Sequence, residues 1–369
     1  METTVRKTQR NSNIEGLRII AMFLIVLSHY SVFSKVNPDA LSFGFSKILL
    51  DSVAIGKLGV AVFVMITGYF MVNLKFNIHR VVNIVLQTLF YTISIYAVFL
   101  ITGGAFSLKG MIESLFPIIT CQYWFVSAYV ILSLLMPFIN KVLNGITQKQ
   151  FIALLGVLIF YNSVAPTFLN YDAFAYGGHL FYMIMFYCVG AFIRKYPPKK
   201  PSKTPAVLLV CISAVLLVLS VVAIDFLAER FTFLAGKSGK FYTVYSVLIL
   251  TLAIGLLLLF TQMKPRSNKV INICGSCAFG VYLIHENNYM RQWIWGNFCN
   301  NSSYAAPLRL VTHMCLCVIS VYLICTFIEF IRQYGLEKKL FRKLYVYIYK
   351  ATNSLQEKLN NIANKIIMK

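Results

Sequence analysis

Three residues of the first apolar stretch, NIEGLRIIAMFLIVLSHY, carry groups that can do chemistry: Glu15, Arg18 and His29. Arg18 and His29 stand eleven positions apart. On an α-helix that is three turns plus roughly 20°, so they share one face about 16 Å apart along the axis. Glu15 precedes Arg18 by three positions and pairs with it across one turn. In hydrocarbon an ionisable side chain costs about 2.5–3.5 kcal/mol by insertion scales, which makes each one a functional suspect. The others within apolar stretches are His285, Glu286 and His313. Near neutral pH an imidazole can take up and return a proton, the work of a general base. A guanidinium fork can hold a phosphate by two parallel bonds. Snorkelling of Arg18 to lipid phosphates, with His29 a satisfied polar residue near the far interface, accounts for the same pair without chemistry.

Other candidates are set by residue type. Lys75, His79 and Arg80 form a basic cluster that can hold phosphate groups, although the positive-inside bias also explains it. Gly56, Gly59 and Gly68 in GKLGVAVFVMITGYFM permit close helix packing. Tyr123, Trp124 and Tyr129 open a later span, either as an aromatic belt or as a surface for sugar faces and amphipathic ligands. Tyr282 and His285 lie in FGVYLIHENN, where His285 is assigned packing or positioning. Cys274 and Cys277 have a redox or metal spacing but no second pair, and the cysteines read as small apolar residues. No metal-ligand cluster is visible and the chemistry requires none.

The elements that must position these groups follow from composition. The chain has 369 residues, 59% hydrophobic and 12% charged, with a formal net charge of +22. This excludes a disulfide scaffold, a coiled coil and a disordered chain, and exposed in water it would aggregate. The apolar content allows on the order of ten spans of roughly 20 residues. They are expected near 15–33, 52–73, 81–101, 121–139, 151–168, 178–194, 205–224, 241–262, 273–292 and 306–331. The basic residues lie in short stretches between apolar runs, so they set orientation and do not bind nucleic acid. One side carries 25 of the 34 Lys and Arg, which puts both termini in the cytoplasm. The linker RKYPPKKPSK, 194–203, divides the spans six and four. The expectation is therefore an all-α bundle of about ten transmembrane helices over 1–331, with a basic amphipathic helix in the tail 332–369 lying on anionic lipid.

The first span resembles the opening of acyltransferase family 3, integral membrane proteins with an acidic-Gly-Leu-Arg run and then a His, ten residues intervening. Gly59, Val60, Phe63 and Gly68 resemble its Gly-Val-aromatic-Phe…Gly segment. Tyr123-Trp124-Phe125 resembles its Trp-Phe segment, and Tyr282-Leu283-Ile284-His285 its Tyr-Leu-x-His. The order holds to about residue 331. Many members carry Arg-x-x-Arg after the second span, linked to the acyl-CoA donor. Arg80 matches the first Arg and Asn83 stands at the second, with Lys75 or His79 able to supply charge. The resemblance is to stand-alone members without a periplasmic hydrolase-like domain.

What it implies is O-acylation of a cell-envelope glycan, lipid-linked intermediate or related acceptor, with acetyl-CoA or another acyl-CoA as donor, in a bacterial plasma membrane. His29 is then the catalytic residue, as base or as acyl carrier. Arg18, Glu15, Arg80 and Lys75 serve the donor, and Tyr123, Trp124, Tyr129, Tyr282 and His285 the acceptor pocket. A transporter-like module for a small metabolite or amino acid is the alternative. The concentration of charge on one helix, with no internal repeat, favours the enzyme.

Overall fold

The first turn of α1 (Ser12–Val32) is tied to the first turn of α12 (Lys269–His285). Ser12 Oγ donates to Asn272 Oδ1 at 2.8 Å, the Asn268 amide donates back to Ser12 Oγ at 2.6 Å, and the Ser12 amide donates to the Arg266 carbonyl at 2.8 Å. These bonds satisfy helix-start donors that a bilayer would leave orphaned. They also make the two helices parallel neighbours from a common end. Asn11 and Asn268 supply the N-caps.

The computed structural model describes residues 10–33, 35–169, 178–198, 202–304, 306–337, 347–354 and 357. Among them every regular element is helical. Between α1 and α12 run α2 (Phe45–Val53), α3 (Gly56–Met71), α4 (Ile78–Ile101), α5 (Leu108–Leu115), α6 (Trp124–Gly145), α7 (Gln148–Ile159), α8 (Ala165–Leu169), α9 (Gly178–Lys195), α10 (Lys203–Ala228) and α11 (Val247–Thr261). The short α13 (Asn288–Arg291) and the long α14 (Pro307–Ile331) follow. Eight helical stretches of the described residues are long and apolar enough to cross a bilayer. The other two expected spans fall on α9, which ends in Arg194 and Lys195, and on the 17-residue α12. The chain is an all-α, multi-pass membrane protein.

Several boundaries differ from the sequence expectation. The second span, expected from 52, has its helix only from Gly56, after a break at Ala54–Ile55 that separates α3 from the preceding α2. The break sits where Gly56 meets α1, and a Cβ there would lie 2.8 Å from the Ser28 Cβ. The span expected at 273–292 stops at His285, because the Asn287 side chain accepts from the Tyr289 amide and starts α13. The span expected at 241–262 begins as 3-10 turns, with α-helix only from Val247. The linker joins α9 to α10, and its residues 199–201 lie outside the described set. Of the expected tail helix, 347–354 is helical, whereas most of its apolar stripe lies outside the described residues. Tyr349 donates to Asn83 Oδ1 at 2.5 Å, and His79 Nε2 is 2.9 Å from Asn353 Oδ1. That stretch therefore docks on the start of α4.

The glycines expected to allow close packing do so. A Cβ at Gly68 would run into the Tyr187 carbonyl, and one at Gly190 into the Met65 carbonyl. Thus α3 and α9 touch backbone to backbone at two reciprocal points. A Cβ at Gly59 would collide with the Ala21 carbonyl, which brings α3 against α1. From α6, Asn140 and Asn144 donate to the Met71 and Val72 carbonyls at 2.8 and 3.0 Å, closing the end of α3. The buried apolar side chains form two clusters that meet at α1 and α3.

Candidate active site

Parallel packing aligns two stripes. On α1 the stripe is Arg18, Met22, Ile25 and His29; on α12 it is Gly275, Phe279, Tyr282 and Glu286. Each follows the four-three-four spacing of one helix face. The lower members of both stripes line a cavity of about 340 Å³, closed by Val60, Phe63, Thr67, Phe125 and Tyr129, with Arg10 and Ser276 at the Ser12 end. The cavity thus has cations at one end and an apolar shaft. It stops at Ile25 and Tyr282, one turn short of the residues that end the stripes.

Those end residues meet. His29 Nδ1 lies 3.3 Å from Glu286 Oε2, with the side chains 15% and 11% exposed. This is ion-pair distance but outside hydrogen-bond angles, so both atoms lack another partner. Catalytic contacts are commonly this loose before substrate tightens them. The other carboxylate oxygen, Glu286 Oε1, accepts from Arg291 Nη1 at 3.3 Å. Arg291 lies over Phe33, 4.6 Å from its centroid, and Phe33 tilts against His29 at 4.9 Å. The His285 ring is 5.0 Å from that of His29. His285 is fully buried and its Nδ1 is 2.5 Å from the Val281 carbonyl, which can only accept, so Nδ1 carries the proton.

The structure distributes the remaining candidates as follows. Arg18 Nη1 donates to Glu15 Oε1 at 2.8 Å, the pair expected from their spacing. The Arg18 side chain is 32% exposed and faces the cavity, while Glu15 packs on Gly275. Arg80 and Lys75 are exposed at the same end, and Arg80 donates to Met71 Sδ at 2.8 Å. Tyr129 lines the cavity and shares a 2.9 Å hydrogen bond with Thr67. Tyr282 lines it with its hydroxyl unpartnered. Tyr123 does not line it. Its hydroxyl donates to the Leu283 carbonyl at 2.8 Å and accepts from Asn287 Nδ2 at 2.9 Å, which ties the start of α6 to the end of α12. Trp124 carries Lys57 Nζ on its face at 4.7 Å and the His179 ring at 4.2 Å.

His29 lies on the last turn of α1. Glu286 was visible as an ionisable residue in an apolar stretch, but nothing in the sequence joins it to His29 across 257 positions. Lys57 and Arg291 belong to the nine basic residues on the less basic side, and the sequence gives them no site role. Two buried charge groups away from the cavity were missed as well. Glu329 is fully buried and accepts from Arg332 Nε and Nη2 at 2.8 Å each, from Tyr91 at 2.5 Å and from Gln87 at 3.0 Å. Lys47 pairs with Asp51 at 2.9 Å and with the buried Asp225 at 3.2 Å. Their signal was a charge near the end of an apolar run, where interface and interior look alike in one dimension.

No curated protein and no solved structure matches the chain. The family profile described as an acyltransferase domain, acyltransferase family 3, matches residues 11–330, nearly the whole helical bundle and both stripes. The chain belongs to this family and is a membrane acyltransferase.

Proposed function

We propose that the protein transfers an acetyl or similar acyl group from cytoplasmic acyl-CoA to a hydroxyl of a cell-envelope glycan or lipid-linked acceptor. The observation that carries this reading is the cavity that starts at Arg10 and Arg18 and runs along the stripe leading to the His29–Glu286 pair. Arg10 and Arg18, with Arg80 and Lys75 at the rim, suit the phosphates of CoA. The apolar shaft suits its arm, and the ~16 Å between Arg18 and His29 is the length the arm must cover. The thioester then arrives beside His29.

Transfer by general base catalysis needs three events. Glu286 faces His29 Nδ1, so Nδ1 holds the ring proton and Nε2 is free. Nε2 takes the proton of the acceptor hydroxyl as its oxygen attacks the thioester carbon. The C–O bond forms, the C–S bond breaks, and the imidazolium returns the proton to the departing thiolate. Glu286 stabilises the imidazolium while it exists. His285 backs the His29 ring. Tyr282, Trp124 and Tyr129 serve as aromatic contacts for substrate, and Tyr123 holds the far rim in place. The basic asymmetry supports cytoplasmic termini in a bacterial plasma membrane, with the tail 332–369 on the inner leaflet.

The test is acyl transfer from acetyl-CoA by purified protein, with mass spectrometry of envelope glycans from cells with and without the gene. His29→Gln keeps hydrogen bonding but takes up no proton, so it should lose about 10²–10⁴-fold in rate with stability retained. A His29→Gln variant with most of the wild-type rate would refute the base and reopen the transporter alternative.

A further inference from the structure

Acyl transfer also needs something for the negative charge that develops on the thioester oxygen. Resting on the function proposed above, the geometry points to Lys57 as the catalytic residue that does this, its ammonium held beyond the end of the cavity, on the face of Trp124.

Four observations converge on Lys57. It lies in the first turn of α3, and the neighbouring Gly56 presses that turn against Ser28, the residue before His29. Its Nζ sits 4.7 Å above the Trp124 ring, an attraction worth about 0.5–2 kcal/mol that orients the ammonium without neutralising it. The His179 ring lies 4.2 Å from the same Trp124 ring, so an aromatic and an imidazole flank the ammonium. Glu286 is at ion-pair distance from His29 and Arg291 and not from Lys57, and no ion pair to Lys57 exists among the described residues. A half-buried cation on the turn that packs against the residue before His29, with no carboxylate of the described residues at ion-pair distance, is placed to meet a transient anion.

The start of α3 adds to this. Its N-cap, Ile55, gives no side-chain hydrogen bond to the first turn. The positive end of the helix dipole therefore lies on the turn that carries Lys57. The electron bookkeeping is that of ester formation. As the acceptor oxygen bonds to the carbonyl carbon, the carbonyl π pair moves onto its oxygen, which Lys57 stabilises. When that pair returns, the C–S bond breaks, and the thiolate takes the proton held by His29. Lys57 is charged throughout and neither gains nor loses a proton.

The experiment compares Lys57→Met, Lys57→Arg and His29→Gln with the wild type, all purified in detergent. The donor is acetyl-CoA and the acceptor is the envelope fraction of the expressing bacterial cells, with release of free CoA thiol as the readout. Met keeps the stem and the contact with Trp124 but removes the charge. Removing one oxyanion donor should lower kcat by about 10²–10³-fold with KM for acetyl-CoA unchanged. Lys57→Arg should recover a substantial part of that loss. A Lys57→Met rate within about threefold of the wild type, in folded protein, overturns the proposal. So does a defect confined to KM, or one that Lys57→Arg shares in full. An inactive wild type, or an active His29→Gln, refutes the underlying acyl-transfer reading instead.

Discussion

Replacing Glu286 by Gln is the sharpest test of the His29–Glu286 contact, because it removes a charge and almost nothing else. At 3.3 Å, and at the effective dielectric of about 20 suited to protein sites, a full carboxylate–imidazolium attraction is about 5 kcal/mol. Glu286 does not give all of this to His29, since Arg291 is also 3.3 Å from its other oxygen. A share of roughly half, about 2–3 kcal/mol, reaches the transition state in which His29 is charged. That converts to about 30- to 150-fold in kcat. KM for acetyl-CoA should stay put, because the carboxylate faces the ring and not the cavity. The assay is initial-rate acyl transfer with purified protein, beside a thermal unfolding curve in detergent. A Glu286→Gln enzyme within about threefold of wild-type kcat would show that the contact does no catalytic work. A fall in rate matched by a fall in unfolding temperature would make Glu286 a structural residue.

Three further outcomes are expected. Arg18→Ala should raise KM about tenfold or more for acetyl-CoA but hardly for acetyl-pantetheine, which lacks the nucleotide phosphates; equal effects on both donors would place Arg18 away from them. Gly68→Ala should cost about 1–3 kcal/mol, since its Cβ meets the Tyr187 carbonyl, whereas Gly16→Ala, with nothing within 4 Å, should cost nothing; similar unfolding temperatures for the two would contradict the backbone contact. Glu329→Ala leaves the buried Arg332, 6% exposed, with Glu337 at 2.8 Å as its remaining acidic partner, and should destabilise by about 3 kcal/mol, the low end for a broken buried pair; an unchanged unfolding temperature would show that the network is solvated.

Helical class and approximate span positions could be read along the chain because hydrocarbon imposes a length on each apolar run and forbids unpaired backbone. Arg18, Glu15 and His29 could be read because one helix carries them, and helical periodicity is a local rule. Glu286 could not be joined to His29 that way. Their meeting depends on hydrogen bonds between Ser12, Asn268 and Asn272 that set α1 and α12 in register, and single polar residues of that kind are common at helix ends. Lys57 was hidden by the same limit, since its stretch reads as one continuous span and only the tight contact at Gly56 reveals where the helix starts afresh. Tyr123 shows the opposite case. An aromatic at a span boundary suggests a substrate contact, and here both sides of its hydroxyl are taken by Leu283 and Asn287.

The bonds that fasten α1 to α12 at Ser12 turn the two helices into a pair of levers with a fixed pivot. His29 is seventeen residues up the arm, about 25 Å from the pivot. Over that length a rotation of about 5° moves the far end by about 2 Å. At the Ser12 end the same rotation displaces almost nothing. The 3.3 Å separation of His29 and Glu286 is therefore the most sensitive gauge of the angle between these helices. Whatever fills the shaft near the pivot, by even a slight wedge, is read out amplified at the imidazole.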